Sequence, residues 1–111
     1  MERTSLREFE ELVLLTIAAY NSAAYGVLIK EDVESRTRRK VSMGAMYTSL
    51  GRLEKKKFIS SAWGEAVPER GGKRKRLFTV TNLGKDALLE AKRIRDGLYS
   101  MSLQTISVKN K

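Results

Sequence analysis

The hydrophobic periodicity of this chain changes twice, from helical to strand-like and back to helical. Polar and apolar residues alternate, as in strands, in segments 58–67 and 77–81, which flank a basic turn. On both sides of this hairpin the apolar residues recur at helical intervals. The predicted helices run from about 6 to 20, from 25 to 37, from 43 to 56 and from 82 onward. The chain of 111 residues is therefore predicted to form one α+β, mostly α domain with the order helix, helix, helix, hairpin, helix.

Capping residues place the starts of three of these helices. Ser5 and Glu8 have the spacing of a capping box before the first helix. Ser42 is well placed as the N-cap of the third helix, and either Thr81 or Asn82 can cap the last one.

The order of elements is the plan of a winged helix-turn-helix with a two-stranded wing. In that plan a short second helix supports a third helix that enters the DNA major groove. We expect residues 1–80 to form the DNA-binding region and residues 81–106 to form a long C-terminal dimerisation helix. Residues 107–111 have no periodicity and are expected to fray.

Several functional classes are disfavoured by the residues the chain lacks. Cysteine and histidine are both absent, which removes disulfides, thiol and imidazole catalysis, and Cys/His metal or haem sites. We therefore expect no enzyme activity, no cofactor and no metal. No apolar run approaches the roughly 20 residues that a membrane span needs, so a cytoplasmic protein without a membrane partner is expected.

The net charge of +9 is concentrated in the middle of the chain. Residues 1–35 carry −4, residues 36–76 carry +10 and residues 77–111 carry +3. Such a local positive field suits a polyanion such as nucleic acid, although a generally basic, soluble surface is the alternative. Arg38, Arg39 and Lys40 could contact phosphates or remain solvated, and Val41 after them could form a minimal strand.

The third helix has an apolar side and a polar side. Met46, Leu50 and Leu53 should face inward. Small or hydrogen-bonding residues on the other side could approach bases and phosphates. The candidate DNA-binding residues here are Ser42, Gly44, Ala45, Tyr47, Thr48, Ser49 and Arg52. The alternative is a solvent-exposed polar face with a half-buried Tyr47.

The turn between the strands has the sequence PERGGKRKR and is the most basic segment of the chain. We expect a flexible tip whose cations follow phosphates or reach a minor groove, the alternative being a solvated charge run. The candidate contacts are Arg70, Lys73, Arg74 and Lys75. Because strand residues alternate, Arg76 should face away from Lys75. Trp63 is expected to pack at the base of the wing.

Four stretches make the sequence resemble the PadR family of bacterial transcriptional regulators over about residues 5–100. They are EFEELVLLTI (8–17), AYGVLI (24–29), VSMGAMYTSLGRLEKKKFI (41–59) and WGEAVPERGGKRKRLFTVTNLGKDAL (63–88). The resemblance implies a homodimeric DNA-binding repressor with Tyr47 and Thr48 at the DNA surface. The single helix after the wing is similar to the short-tailed branch of the family. Many relatives have proline where this chain has Asn82, a departure that affects capping.

The last helix carries an apolar stripe that the domain does not need for its own core. An exposed stripe of this kind is expected to pair with the last or the first helix of a second subunit. The candidate dimerisation residues are Leu6, Phe9, Val13, Ala87, Ala91, Ile94, Leu98 and Met101. A twofold dimer would favour a palindromic operator on double-stranded DNA.

Family resemblance also implies a small flat, aromatic or apolar effector in or near the dimer interface. Leu12, Leu15, Tyr99 and Met101 could line such a site, although packing in the core or in the dimer is the favoured role for these residues.

Two functional hypotheses remain at this stage. The first is a PadR-like transcriptional repressor, and the second is a sequence-tolerant structural protein that binds nucleic acid through the same charge. The ratio of specific to non-specific DNA affinity separates them.

Overall fold

The protein consists of four helices and one antiparallel sheet of two strands. The computed structural model describes residues 6–65 and 74–109. Its elements are α1 (Glu8–Tyr20), α2 (Gly26–Thr37), α3 (Met43–Lys55), β1 (Ile59–Trp63), β2 (Arg76–Val80) and α4 (Asn82–Lys109). This confirms the predicted α+β, mostly α winged helix-turn-helix order. The last helix extends past residue 106, and the tail expected to fray is helical as far as Lys109.

Two of the predicted caps are present. The Ser42 Oγ accepts a hydrogen bond from the backbone N–H of Ala45 at 3.0 Å and so satisfies one of the free donors at the start of α3. The Thr81 Oγ1 accepts in the same way from the N–H of Gly84 at 3.0 Å. Thr81 is therefore the cap of α4, and Asn82 is its first helical residue.

The start of α1 differs from the prediction. The helix begins at Glu8, and the carboxylate of Glu10 accepts a hydrogen bond from the backbone N–H of Arg7 at 3.2 Å. Glu10 thus takes the acidic position that the sequence assigned to Glu8 in the predicted capping box. Ser5, the other predicted partner, lies outside the described residues.

The hydrophobic core lies where the first three helices meet the wing and the start of α4. Apolar residues spaced three and four apart on each helix point into it, as helical periodicity requires. Its most deeply buried members are Val13, Leu14, Ile17, Ala24, Ile29, Val33, Met46, Leu50, Leu53, Phe58, Ile59 and Phe78. This one core fixes α3 and the wing relative to each other.

The wing sheet gains a partner from the connection between α1 and α2. Strands β1 and β2 pair from Ile59 opposite Val80 to Trp63 opposite Arg76. On the other edge of β2, Ala24 forms an isolated bridge with Phe78, whose N–H donates to the Ala24 carbonyl at 2.9 Å. The wing is therefore held to the helical core by backbone hydrogen bonds as well as by apolar packing.

The minimal strand predicted at Val41 is not formed. The backbone N–H of Val41 donates instead to the carboxylate of Glu34 at 2.8 Å, and its side chain is buried. That hydrogen bond is the main cause that lowers the pKa of Glu34, assisted by Lys30. Glu34 thus stabilises the turn between α2 and α3.

The first turn of α4 makes a very close contact with the chain that precedes the wing. A Cβ atom placed on Gly84 would lie 2.2 Å from the backbone oxygen of Phe58 and 2.8 Å from a methyl group of Val80. Only glycine allows the helix to approach this closely. Gly84 therefore sets the position at which α4 leaves the core.

Three carboxylates of α1 are paired with cations from other parts of the chain. Each pair joins α1 to a different segment of the chain: the turn between α2 and α3, the residue after α3, and α4. The pairs are Glu8 with Arg39 at 2.6 Å, Glu10 with Lys56 at 2.8 Å and Glu11 with Arg95 at 2.5 Å.

Glu10 is the most buried of these acids, with 1% of its surface exposed. Burial alone would raise the pKa of Glu10, but the hydrogen bonds from Lys56 and from the Arg7 N–H outweigh burial and hold the pKa below its usual value. Its second carboxylate oxygen, Oε2, has no hydrogen-bond partner among the described residues. The charged form of Glu10 is thus the form that the fold stabilises.

Glu10→Gln is expected to lower the free energy of unfolding at pH 7 by about 1–3 kcal/mol, because the ion pair between Glu10 and Lys56 is lost. The folded-state pKa lies below the unfolded one, so the contribution of the carboxylate is complete above about pH 4.5 and is lost as the pH falls through the folded value. Urea unfolding between pH 7 and pH 3 should therefore show a shallower acid loss in the variant.

Glu31→Gln is the matched control, since Glu31 is exposed and has no ion pair among the described residues. It should leave the pH dependence of the wild-type protein unchanged. Equal acid slopes in the wild-type protein and in Glu10→Gln would contradict the assigned role of Glu10.

Candidate nucleic-acid interface

One side of α3 is open to solvent over its whole length. Gly44, Ala45, Thr48 and Arg52 are exposed on this side, and Arg52 makes no ion pair among the described residues. Met46, Leu50 and Leu53 are buried on the other side, as predicted. The open side presents two small residues near the helix start, followed by a hydroxyl and a guanidinium, so a DNA groove could approach the backbone closely.

Ser49 does not belong to this open side. It is 6% exposed and lies between Met46 and Leu53 on the core side of α3, at spacings of three and four residues. The prediction that Ser49 faces DNA is therefore wrong. Ser42 is exposed, and its oxygen already accepts the capping hydrogen bond.

Tyr47 lies at the border between α3 and the start of α2. Its side chain is 55% exposed, and its hydroxyl lies so close to Gly26 that a Cβ there would be 3.0 Å from the oxygen. The glycine thus lets the phenol lie along the first turn of α2. One face of Tyr47 is packed, while the rest of the ring remains available.

The cations at the base of the wing make contacts that the sequence did not predict. The ammonium of Lys75 lies 3.6 Å from the centre of the Tyr25 ring, a cation–π contact. The Arg74 Nε donates to the carbonyl of Gly64 at 3.1 Å. Lys75, predicted as part of a flexible tip, thus has a defined contact at the base of the wing, where it is half-buried. Arg70 and Lys73, the other predicted wing contacts, lie outside the described residues.

Trp63 does not pack at the base of the wing as predicted. It is 61% exposed on β1 and borders a cleft of about 330 Å³ between the wing, the start of α2 and Tyr47 of α3. Tyr25, Tyr47, Arg74 and Lys75 line the same cleft. Sequence reasoning overlooked Tyr25, which comes near Lys75 only because Ala24 pairs with β2.

The basic segment before α3 is only partly available for other partners. The Arg39 guanidinium is held by Glu8 at 2.6 Å, and this hydrogen bond raises the pKa of Arg39 and lowers that of Glu8. Arg38 and Lys40 are exposed and form no ion pair with described residues. Two cations thus remain to extend the positive surface beside the start of α3.

A sequence model described as the transcriptional regulator PadR-like family matches residues 13–90, which include α3 and the wing. This chain belongs to that family. The family model spans most of the elements described above, and PadR-like proteins regulate transcription.

Solved structures agree with this PadR-like assignment. The chain is similar to a PadR family transcription regulator from hypervirulent Clostridium difficile, with 26% identity, a TM-score of 0.72, and coverage of 88% of this chain and 98% of that one. It shares its fold with a PadR-like transcription factor from Bacteroides fragilis at 22% identity and a TM-score of 0.72, covering 87% and 88% of the two chains. A PadR-like regulator from Bacillus cereus matches at 21% identity and a TM-score of 0.70, covering 93% and 91%. A search of curated protein sequences found no match.

The PadR-like chain has an α4 that extends beyond the core. Ile94, Leu98 and Met101 are 48, 59 and 73% exposed. Of the other predicted dimerisation residues, Ala91, Leu6 and Phe9 are partly buried. Val13 and Ala87 are 0 and 3% exposed because they pack inside the core of their own chain, so the prediction of these two as interface residues is wrong.

A groove of about 620 Å³ lies between α1 and α4 of the PadR-like fold. Leu15 and Tyr99, two of the predicted effector contacts, line it together with Leu88 and Leu89. Leu12 and Met101, the other two, are not among its lining residues. In the part of the chain that the structure describes, no helix is both long enough and apolar enough to cross a membrane.

Proposed function

We propose that this PadR-like chain is a homodimeric, sequence-specific regulator that binds double-stranded DNA and represses transcription in the bacterial cytoplasm. The observation that carries the proposal is the open side of α3, where Gly44, Ala45, Thr48 and Arg52 are exposed, together with the Arg74 and Lys75 cations, which share a cleft with Tyr47 of the same helix. The small residues allow the DNA groove to approach the backbone of α3 closely, and the wing cations can contact the neighbouring phosphates. On this proposal Tyr47 and Ser42 contact phosphates.

The dimer in this proposal is supported by α4. Apart from its first turns, the helix presents Ile94, Leu98 and Met101 to solvent, and exposed apolar stripes of this kind mark protein–protein contacts. A twofold pairing of α4 would place two copies of α3 about one DNA turn apart, ~34 Å, and so favour a palindromic operator.

An effector that releases the operator is part of the same proposal. The groove between α1 and α4 is lined by apolar and aromatic side chains, including Leu15 and Tyr99, with Arg95 and Lys92 at its polar edges. A small aromatic or apolar molecule suits this lining. Because the groove borders α4, its occupant would act on the proposed dimer.

The second candidate is a sequence-tolerant DNA-binding structural protein, which the local charge of +10 over residues 36–76 also supports. Selection of bound duplexes from a random pool separates the two candidates. The regulator should yield a palindrome bound ~10³-fold or more tightly than random duplex at physiological salt. Equal binding of all duplexes would favour the structural protein.

Arg52→Ala tests whether α3 reads bases. If Arg52 contacts a guanine edge, the variant should lose about 1–3 kcal/mol of binding free energy for the selected palindrome and should discriminate less at one position of each repeat. The measurement is a titration of the palindrome and of its single-base variants. The control is Arg93→Ala, which also removes one positive charge. Arg93 lies on α4, where it is paired with Glu90, so this variant should discriminate between the single-base variants as well as the wild-type protein does. A uniform loss over all duplexes would reassign Arg52 to a phosphate.

A further inference from the structure

Glu54 is an acidic residue in the stretch 36–76, which carries a net charge of +10, and it lies on the helix that the proposed function places in the DNA groove. A carboxylate in this position repels a phosphate backbone and would weaken binding if it had no other task. Its contacts in the structure indicate what that task is.

The side chain of Glu54 is part of a closed triangle with Ser61 and Arg76. The Arg76 Nη2 donates to both carboxylate oxygens of Glu54 at 3.1 Å. The Ser61 hydroxyl donates to the Glu54 Oε2 at 2.9 Å and accepts from the Arg76 Nε at 2.9 Å. Each member of the triangle bonds to the other two.

The triangle joins α3 to both strands of the wing, since Ser61 lies on β1 and Arg76 on β2. The register places Ser61 opposite Phe78, two residues after Arg76, so both polar side chains project from the same face of the sheet. The Arg76 guanidinium also lies 5.7 Å from the centre of the Phe78 ring. The Arg76 guanidinium therefore lies between an aromatic ring and a carboxylate, while 48% of its side chain remains exposed.

Two further cations, Arg74 and Lys75, directly precede Arg76 at the start of β2. Lys75 lies on the Tyr25 ring, and Arg74 is hydrogen-bonded to Gly64. Arg74 and Lys75 directly precede Arg76 in the chain, so a shift of the Arg76 backbone would be passed on to both. The hydrophobic core sets the overall placement of the wing, and the triangle adds a side-chain restraint on the strand end that carries these two cations.

We propose that Glu54 is a positioning residue for DNA binding: it holds the wing against α3 through Arg76 and Ser61, and so places Lys75 and Arg74 on the phosphate backbone. The proposal rests on the proposed function. It assigns Arg76 to a contact within the protein and not to a contact with DNA. It also predicts that an acidic residue, Glu54, increases DNA affinity.

The test compares Glu54→Gln with Glu31→Gln. Both substitutions raise the net charge by one, and Glu31 is an exposed residue of α2 with no ion pair among the described residues. Charge alone predicts tighter DNA binding for both variants. We expect Glu54→Gln to bind its selected palindrome about fivefold more weakly than the wild-type protein, and Glu31→Gln to bind as tightly as the wild-type protein or more tightly.

A double-mutant cycle with Lys75→Ala shows whether Glu54 acts through the wing. The loss of affinity on Lys75→Ala should be about fivefold smaller in the Glu54→Gln background than in the wild-type background. If Glu54 only stabilised the fold, Lys75→Ala would cost the same DNA affinity in the Glu54→Gln background as in the wild-type background. If Glu54→Gln does not fold, Arg76→Gln breaks the triangle from the wing, with Arg93→Gln as the control of equal charge.

Hydrogen exchange without DNA separates this proposal from the proposed function. In Glu54→Gln the amides of β1 and β2 should exchange about tenfold faster, while those of α1 and α2 keep their wild-type rates. If the wild-type protein binds no duplex, the proposed function fails, and the exchange rates still report whether Glu54 holds the wing. Two results would overturn the positioning role of Glu54. One is that the amides of β1 and β2 exchange at wild-type rates in Glu54→Gln, and the other is that Lys75→Ala costs the same DNA affinity in both backgrounds.

Discussion

Gly84→Ala is expected to lower the free energy of unfolding by about 3 kcal/mol or more, the largest stability effect we expect from a single methyl group in this chain. The new Cβ would lie 2.2 Å from the backbone oxygen of Phe58, and a backbone atom cannot move aside as the end of a flexible side chain can. Either α4 shifts along the wing or the turn at Phe58 distorts. For a domain of this size the midpoint of thermal unfolding should fall by about 10 °C or more.

Gly51→Ala is the matched control for this prediction. Gly51 lies within α3, and no atom is found within 4 Å of the position its Cβ would take. Without a clash, the better helix propensity of alanine should stabilise the protein by up to about 1 kcal/mol. The two variants should thus change stability in opposite directions at one fixed protein concentration. A Gly84→Ala variant as stable as the wild-type protein would show that α4 is free to move away from the wing.

Leu98→Glu is expected to convert the proposed dimer into monomers and to weaken operator binding by about 100-fold or more. The side chain is 59% exposed in the single chain, so the substitution should leave the domain folded. Buried in a dimer, two symmetry-related carboxylates would lose their hydration among the apolar side chains of the stripe. Each monomer would then hold one half of the palindrome without the gain in effective concentration that a linked second site gives.

Sedimentation velocity at micromolar concentration measures the association, and a duplex titration measures the affinity. Ser100→Glu introduces the same charge on another side of α4 and should leave both unchanged. A wild-type protein that sediments as a monomer at this concentration would remove the basis of the dimer proposal.

Most of the fold could be predicted from the sequence because it depends on interactions between residues that are close in the chain. The N-cap at Ser42 bonds three residues ahead, and the buried stripe of α3 repeats every three or four residues, so a short window of sequence contains both. The error at α1 has the same origin, since Glu8 and Glu10 both offer a carboxylate near the helix start. Only the position at which the backbone becomes helical decides between them.

The errors at the candidate site come from contacts between distant segments. Lys75 lies on Tyr25 because a bridge from Ala24 brings the turn after α1 beside the wing, and no periodicity records that pairing. The errors at Ser49 and Val13 have another origin. Ser49 is three or four residues from Ala45 and Arg52 and also from Met46 and Leu53, so its spacing fits either side of α3, and the structure places it on the buried side. The apolar spacing of Val13 on α1 fits a core position as well as a dimer contact, and the structure places it in the core.

Adjacent carboxylates of α1 have a consequence for chimeric proteins. Glu10 pairs with Lys56 just after α3, and Glu11 pairs with Arg95 on α4. Two neighbouring residues of one helix cannot be reoriented independently, so α1 ties the end of α3 and the middle of α4 to a common rigid reference. A graft that exchanges α4 alone for that of a relative would leave Glu11 nearly buried without its cation. Such grafts should therefore exchange α1 and α4 together, with residues 10 and 11 treated as part of the junction.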